Sequence, residues 1–374
     1  MGEHEPMRVG VVGVGTISRT YLETMTRLPG LSVVAAADLD VERARQAAET
    51  YDGVRACTPE ELYADSEVEA VVNLTIPAAH GAVAKAALAA GKHVYGEKPL
   101  AATRREAAEV MADAERHGKR VGCAPDTVLG TGIQTARALL DRGEIGAPNA
   151  ASAFFVSAGP EPWHPDPEFY YKAGGGPLLD MGPYYLSALI TLLGPVRRVV
   201  GRASRARSTR TVGKGPKAGY TFDVDVDTHL TGVLEHESGV LSTLVTSFDV
   251  HASRLPRIEV YGSDGAMSVP DPNRFDGDTE LWSSSGGEWR VADIAGGYAD
   301  AARGYGVADM ARAIRNDQPH RASGELAFHV LDVMESLLSA SSAEESDSGA
   351  GIVTVQSTVE RPESVPFDAT PDAV

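Results

Sequence analysis

The sequence predicts two domains of different class: an α/β Rossmann domain on a parallel sheet, then an α+β domain with an open, mostly antiparallel sheet. Three observations carry this. Short apolar runs alternate with helical patterns from Val9 to about Gly122, as βαβ units do. A Gly-x-Gly turn sits at the first strand-to-helix junction. Beyond Ala124 the alternation gives way to strand patterns divided by turn residues. This assigns residues 1–124 to the first domain and 125–374 to the second, and 374 residues suffice for two cores.

The first strand is the apolar run Val9, Val11 and Val12, which reads as buried on both faces. Gly13 and Gly15 follow, then a helix over 16–28 with Ile17, Tyr21, Leu22 and Met25 on one face. Glycines at this junction let the backbone turn tightly and approach a pyrophosphate, which then sits on the helix N-terminus. Ser18 takes the third fingerprint position, where a small residue still allows close packing. Gly13, Gly15, Thr16 and Ile17 are the candidate phosphate contacts. A second run, 31–38, ends in Asp38, about 20 residues beyond the glycines as a dinucleotide site requires. Asp38 would accept from the ribose hydroxyls and repel a 2′-phosphate, which favours NAD. Arg43 and Arg45 lie close downstream and leave NADP as the alternative. A competing use for Asp38 is to cap the helix that begins near Val41.

The remaining elements follow in order. Helices are expected over 41–51 and 59–63, the latter with Thr58 as N-cap. A strand over 70–75 leads through Ile76-Pro77 into a helix over 80–90 that Gly91 stops, and then a strand over 92–96. Thr103 caps a helix running to His117, and 120–123 is a last short strand. The second domain reads as a helix over 134–142, a strand over 150–157 and a loop over 159–177 dense in Pro, Gly and aromatics. A helix over 178–193 precedes strands at 198–206, 228–235, 240–249, 257–262 and 280–282. The stretch 207–219, basic and Gly-rich, reads as an exposed loop. Helices over 304–316 and 324–341, a polar segment over 342–350 and an edge strand over 352–355 complete the chain.

The formal net charge of −18 argues against nucleic acid or an anionic membrane as partner. Cys57 and Cys123 are the only cysteines, and no Cys/His grouping has metal spacing, so no metal is expected. The polar start lacks the apolar core of a signal peptide, and no stretch reaches the length of a membrane span. A cytoplasmic protein is the expectation.

Two stretches carry candidate chemistry. Glu97-Lys98-Pro99 follows a parallel strand at the sheet's carboxyl edge, where ligands of such sheets bind. A lysine on a loop locked by proline is a fixed cation, and Lys98-Pro99 is a candidate cis bond. The bland alternative is a surface lysine at a turn. Gly174-Gly-Gly176 precedes a helix on which Asp180 and Tyr184, four apart, share a face. A phenol is a poor base at neutral pH unless a nearby ammonium lowers its pKa. Otherwise Asp180 caps and Tyr184 packs.

Taken together, Gly13-x-Gly15, Thr75-Ile-Pro-Ala-Ala-His80, Gly91-Lys-His-Val-Tyr-Gly-Glu97-Lys98-Pro99, and Gly174-Gly-Gly176 leading to Asp180 resemble the Gfo/Idh/MocA family. Its members are nicotinamide-dependent oxidoreductases acting mostly on sugars, inositols and their relatives. The resemblance implies that Lys98 assists catalysis, that Asp180 orients substrate, and that Tyr184 stands where the family usually has a proton-transferring His. It also implies a homodimer or homotetramer formed through the open sheet. Thr75, Ile76, Pro77, His80, Glu97 and Lys98 join the expected cofactor contacts, with His80 capping or lining the nicotinamide pocket. Lys98, Asp126, Trp163, His164, Asp180 and Tyr184 are the expected substrate contacts. His164 is expected to bind or pack; taking over the proton role is its alternative. The leading function is hydride transfer between NAD(P) and a hydroxyl or keto carbon of a sugar, cyclitol or glycoside. The alternatives are a redox-neutral enzyme using tightly bound NAD by transient oxidation and elimination, and a non-enzymatic dinucleotide sensor.

Overall fold

The computed structural model describes residues 5–342 and 351–371. The polar segment read over 342–350 therefore lies, after its first residue, outside the described residues. The chain forms two compact units, the first drawn from 1–134, 294–331 and 362–374, the second from 135–293 and 332–361. A boundary at 124/125 falls inside the first unit.

The first unit alternates β1 (Met7–Val12), α1 (Ser18–Met25), β2 (Leu31–Ala37), α2 (Val41–Thr50), β3 (Arg55–Cys57), α3 (Pro59–Ala64), β4 (Ala70–Asn73), α4 (His80–Ala89), β5 (His93–Gly96), α5 (Arg104–His117) and β6 (Val121–Cys123). The six strands run parallel in the order β3-β2-β1-β4-β5-β6, the doubly wound arrangement the alternation predicts. Val9, Val11 and the residues of β4 are buried, as a sheet covered on both faces requires. The expected caps form. Thr58 accepts from the Glu61 amide in a capping box, and Thr103 accepts from the Glu106 amide. Val12 lies opposite Asn73 on β4, and Asn73 lies opposite Gly96 on β5. That register brings the turns after β1, β4 and β5 to one carboxyl edge.

The second unit carries most of α6 (Thr131–Asp141), then β7 (Pro148–Val156), α7 (Pro177–Leu193), β8 (Val196–Ser204), β9 (Thr209–Thr211), β10 (Thr221–Asp223), β11 (His229–His236), β12 (Leu241–Ser247), β13 (Ile258–Gly262), β14 (Gly265–Val269), β15 (Glu280–Ser283) and β16 (Trp289–Val291). Two helices follow, α8 (Tyr305–Arg315) in the first unit and α9 (Gly324–Ser342), which is divided between the units after Leu331, then β17 (Ile352–Thr354) in the second. Nine strands order as β16-β15-β14-β13-β7-β12-β11-β8-β17. Every pairing is antiparallel except β7 with β12. α7 packs on β7, β11 and β12. The opposite face of the sheet leaves Val200, Val233 and Ile352 exposed.

The stretch 207–219 departs from expectation. It contains β9, paired with β10, and Arg210 within it is buried. Arg210 contacts Glu161 at 2.8 Å, the Phe248 carbonyl at 3.1 Å and Asp249. A buried guanidinium needs such partners to offset its desolvation. Among the described residues no helix is long and apolar enough to cross a membrane.

Candidate active site

The first unit carries its candidate site residues at the carboxyl edge of its sheet. Gly13 has φ +94°, and a Cβ there would stand 2.8 Å from the Leu74 carbonyl carbon and the Thr75 nitrogen. Only glycine fits both the conformation and the contact with that neighbouring backbone. At Gly15 a Cβ would meet nothing within 4 Å, so the turn leaves an open cradle before α1. Ile17, the N-cap of α1, gives no side-chain cap, and of the first-turn amides that of Ser18 donates to the Gly15 carbonyl at 3.2 Å; a helix start without a side-chain cap suits an anion. Ser18 Oγ donates to the Gly15 carbonyl at 2.7 Å, so the third fingerprint residue folds back onto the turn. These features fit a dinucleotide pyrophosphate.

Asp38 closes the same turn. Its Oδ2 accepts from the Val14 amide at 2.7 Å and its Oδ1 from the Asp40 amide at 2.9 Å. The capping of α2 falls to Asp40, which accepts from the Glu42 amide. Asp38 is thus held at the end of β2.

The turn after β4 is organised by Asn73. Its Oδ1 accepts from Thr75 Oγ1 at 2.6 Å and its Nδ2 donates to the His80 carbonyl at 3.0 Å. Ile76 remains exposed and Pro77 opens a short 3-10 turn. His80 differs from expectation. Its side chain is buried at 1 % exposure, so it lines no open pocket. Nor does it cap α4 through its ring: Nδ1 lies 2.6 Å from the Pro99 carbonyl and Nε2 lies 3.0 Å from the Thr75 carbonyl. Both partners are carbonyl oxygens, so any hydrogen bond that the ring makes to them is one it donates.

Glu97 is buried beneath the turn after β5. Its Oε1 accepts from the Tyr21 hydroxyl at 2.8 Å, its Oε2 from the Lys98 amide at 3.0 Å, and Arg303 stands 3.7 Å away. Burial, reinforced by the Glu97 charge, pushes the Tyr21 phenol well above its ordinary pKa. Lys98 is half-buried and the Lys98-Pro99 bond is cis. The role of Tyr21 is absent from the sequence reading, which places it only on an apolar helix face. The alternation that found that face carries no sign of its hydroxyl's partner.

The expected substrate contact of Asp126 is corrected. Its side chain is fully buried, and Oδ2 accepts from the Gly304 amide at 2.8 Å and the Gly306 amide at 3.1 Å. It staples the start of α8 to the residues after β6. Burial pushes its pKa up to about 6, against the opposing pull of Arg303 and the two amides.

In the second unit, Gly176 has φ +94° and its amide donates to the Tyr170 carbonyl at 2.7 Å. This turn starts α7 at Pro177, and Asp180 lies in its first turn, with its amide on the Gly176 carbonyl at 3.1 Å. Asp180 is half-buried and Tyr184 buried. Tyr185 is wholly buried against Phe155, and burial pushes its phenol up. A cavity of about 310 Å³ at the start of α7 is lined by Gly174, Gly175, Gly176, Leu179, Arg205 and Asp227 among others. Trp163 and His164 lie on an aromatic cluster with Phe169 and Tyr170, their ring centroids 4.1–6.3 Å apart. Trp163 and Phe169 are exposed, and His164 Nδ1 accepts from the Asp166 amide at 3.1 Å.

Comparison with known proteins agrees with this arrangement. Residues 7–124 match a family model described as an oxidoreductase family with an NAD-binding Rossmann fold. Residues 133–268 match the GFO/IDH/MocA C-terminal domain. The chain belongs to the Gfo/Idh/MocA family of oxidoreductases. Its first unit is an NAD-binding Rossmann domain, and the protein is an NAD(P)-dependent oxidoreductase. It is 30 % identical to 1,5-anhydro-D-fructose reductase of Ensifer adhaerens, over 66 % of this chain and 73 % of that one. An NAD binding oxidoreductase from Klebsiella pneumoniae shares the fold with TM-score 0.79 and 23 % identity, over 94 % of this chain and 99 % of that one. Levoglucosan dehydrogenase, solved with NADH and L-sorbose, shares it with TM-score 0.76 and 19 % identity, over 94 % and 99 %.

Proposed function

We propose that this family member oxidises a secondary hydroxyl of a sugar, cyclitol or glycoside, or reduces the matching ketone, with Tyr184 exchanging the hydroxyl proton. The single observation that carries the reading is the carboxyl edge of the first unit. There the open Gly15 cradle, the pinned Asp38 carboxylate and the clamped Lys98 turn follow three strands in register. The named relative supports a carbohydrate substrate, since 1,5-anhydro-D-fructose is one.

The cofactor, when bound, supplies the hydride acceptor or donor. Gly13, Gly15, Thr16 and Ile17 would hold its pyrophosphate on the α1 amides, and Asp38 its ribose. Thr75, Ile76, Pro77 and Glu97 border the same edge. Lys98 holds the substrate oxygen and, as a cation, favours the phenolate of Tyr184. Tyr184 takes the hydroxyl proton in oxidation and returns it in reduction. Asp180 accepts a hydrogen bond from a neighbouring hydroxyl and fixes which carbon reacts. Trp163 and His164 contact the substrate from the aromatic loop.

The test is a panel of myo-inositol, D-glucose, methyl glucosides, levoglucosan and 1,5-anhydro-D-fructose, followed by NAD(P)H absorbance with each cofactor. Turnover with NAD and at least one member is expected. Conversion of a glycoside without net NADH would favour the redox-neutral alternative, and dinucleotide binding with no conversion of any member would contradict the reading.

A further inference from the structure

We infer that His80 is a positioning residue that holds Lys98 in place through the Pro99 carbonyl. This rests on the proposed function, in which Lys98 meets the substrate. His80 is the first residue of α4, yet its ring makes neither of its two bonds to that helix. One goes to Thr75 on the turn after β4, the other to Pro99 on the turn after β5, at 3.0 and 2.6 Å. The ring is a crosslink between two neighbouring turns on the carboxyl edge.

The crosslink is itself held from behind. Asn73 Nδ2 donates to the His80 carbonyl, and Asn73 Oδ1 holds both the hydroxyl and the amide of Thr75. Thr75, His80 and Asn73 therefore form a closed circuit at the end of β4, from which the imidazole reaches to Pro99. On the other side of Lys98, Glu97 Oε2 takes the Lys98 amide, and Tyr21 fixes Glu97. The Lys98 backbone is gripped before it by Glu97 and after it by His80. Because the ring is buried, no water is at hand to replace it at the Pro99 carbonyl. The clamp removes the backbone freedom that would let the Lys98 side chain wander.

A purely structural histidine would hold α4, whereas a positioning one holds the Lys98 turn, and the two can be separated. His80→Asn keeps a donor but cannot span both carbonyls; His80→Gln is the second variant should the first fold poorly. Hydrogen exchange of the cofactor-free protein comes first. Faster exchange is expected at the amides of Thr75, Ile76, Lys98 and Leu100, with those of 83–89 in α4 unchanged. Loosening of α4 with an unchanged Lys98 turn would overturn the inference.

Turnover of the best member of the panel then gives a double-mutant cycle. His80→Asn should lower kcat by roughly 10–10²-fold, the scale of an ångström's misplacement, with the NAD Kd nearly unchanged. In a Lys98→Met background the same change should have almost no further effect on kcat. An equal factor in both backgrounds would overturn the inference. If Lys98→Met alone keeps full turnover, the proposed role of Lys98 fails instead, and hydrogen exchange still decides whether His80 holds that turn.

Discussion

Replacing Asp126 by Asn should change how the stability of the first unit responds to pH. Asp126 is fully buried, and its pKa is pushed from 3.8 up to about 6 by that burial. One carboxylate oxygen holds the Gly304 and Gly306 amides, while the other has no hydrogen-bond partner among the described residues. A carboxyl whose folded pKa is raised binds its proton more tightly in the folded state. Stability therefore falls as pH rises from about 4 to about 6, and the whole deficit is present above that window. Between 3.8 and about 6, at about 1.36 kcal/mol per pH unit, the deficit grows to about 3 kcal/mol. Asn does not titrate and keeps a carbonyl oxygen for the two amides. Whatever its own intrinsic cost, the difference between variant and wild type should move by about 3 kcal/mol in the variant's favour between pH 4 and pH 7.5. All three tryptophans, Trp163, Trp282 and Trp289, lie in the second unit, so their fluorescence does not report this change. Calorimetry or urea unfolding followed by far-ultraviolet circular dichroism does. A pH-independent difference would refute the reasoning.

Other consequences are checked as directly. Gly13→Ala should destabilise the protein by about 2–4 kcal/mol in a thermal melt, because its Cβ meets backbone at a left-handed φ. Gly15→Ala should melt like wild type and weaken only NAD binding, since its Cβ meets no protein atom and enters the open cradle. Asp38→Ala should reduce the preference for NAD over NADP in a fluorescence titration; a preference for NADP retained in both proteins would contradict the ribose assignment. Light scattering should give a mass above the 39.3 kDa monomer, and Val233→Lys should lower it, because Val233 pairs with Val200 and Val200 with Ile352 on the exposed sheet face.

The parts legible in the sequence are those fixed by neighbours along the chain. The alternation of apolar runs with helices, the glycine turn before α1, the Thr58 and Thr103 caps and the four-residue spacing of Asp180 and Tyr184 are all local patterns. Lone short edge strands such as β3 and β16 carry too few residues for a periodicity. The hairpin of β9 and β10 was hidden by basic, Gly-rich composition, since Arg210 is buried only because Glu161 and Asp249 come to it from distant segments. Asp126 misled for the same reason: the amides that take its carboxylate belong to Gly304 and Gly306. His80 was found by its motif, but its use depends on Pro99, a residue on the next turn of the sheet edge.

The most direct test of the account is single-turnover hydride transfer in Tyr184→Phe with the best substrate of the panel and saturating NAD. The account predicts unchanged NAD affinity and a rate lower by roughly 10²–10⁴-fold, the usual contribution of general acid–base catalysis. The companion change Tyr185→Phe, in a ring buried against Phe155, should leave the rate nearly as it was. Near-full activity in Tyr184→Phe, with activity abolished in His164→Ala, would contradict the account and move the proton-transfer role to the aromatic loop.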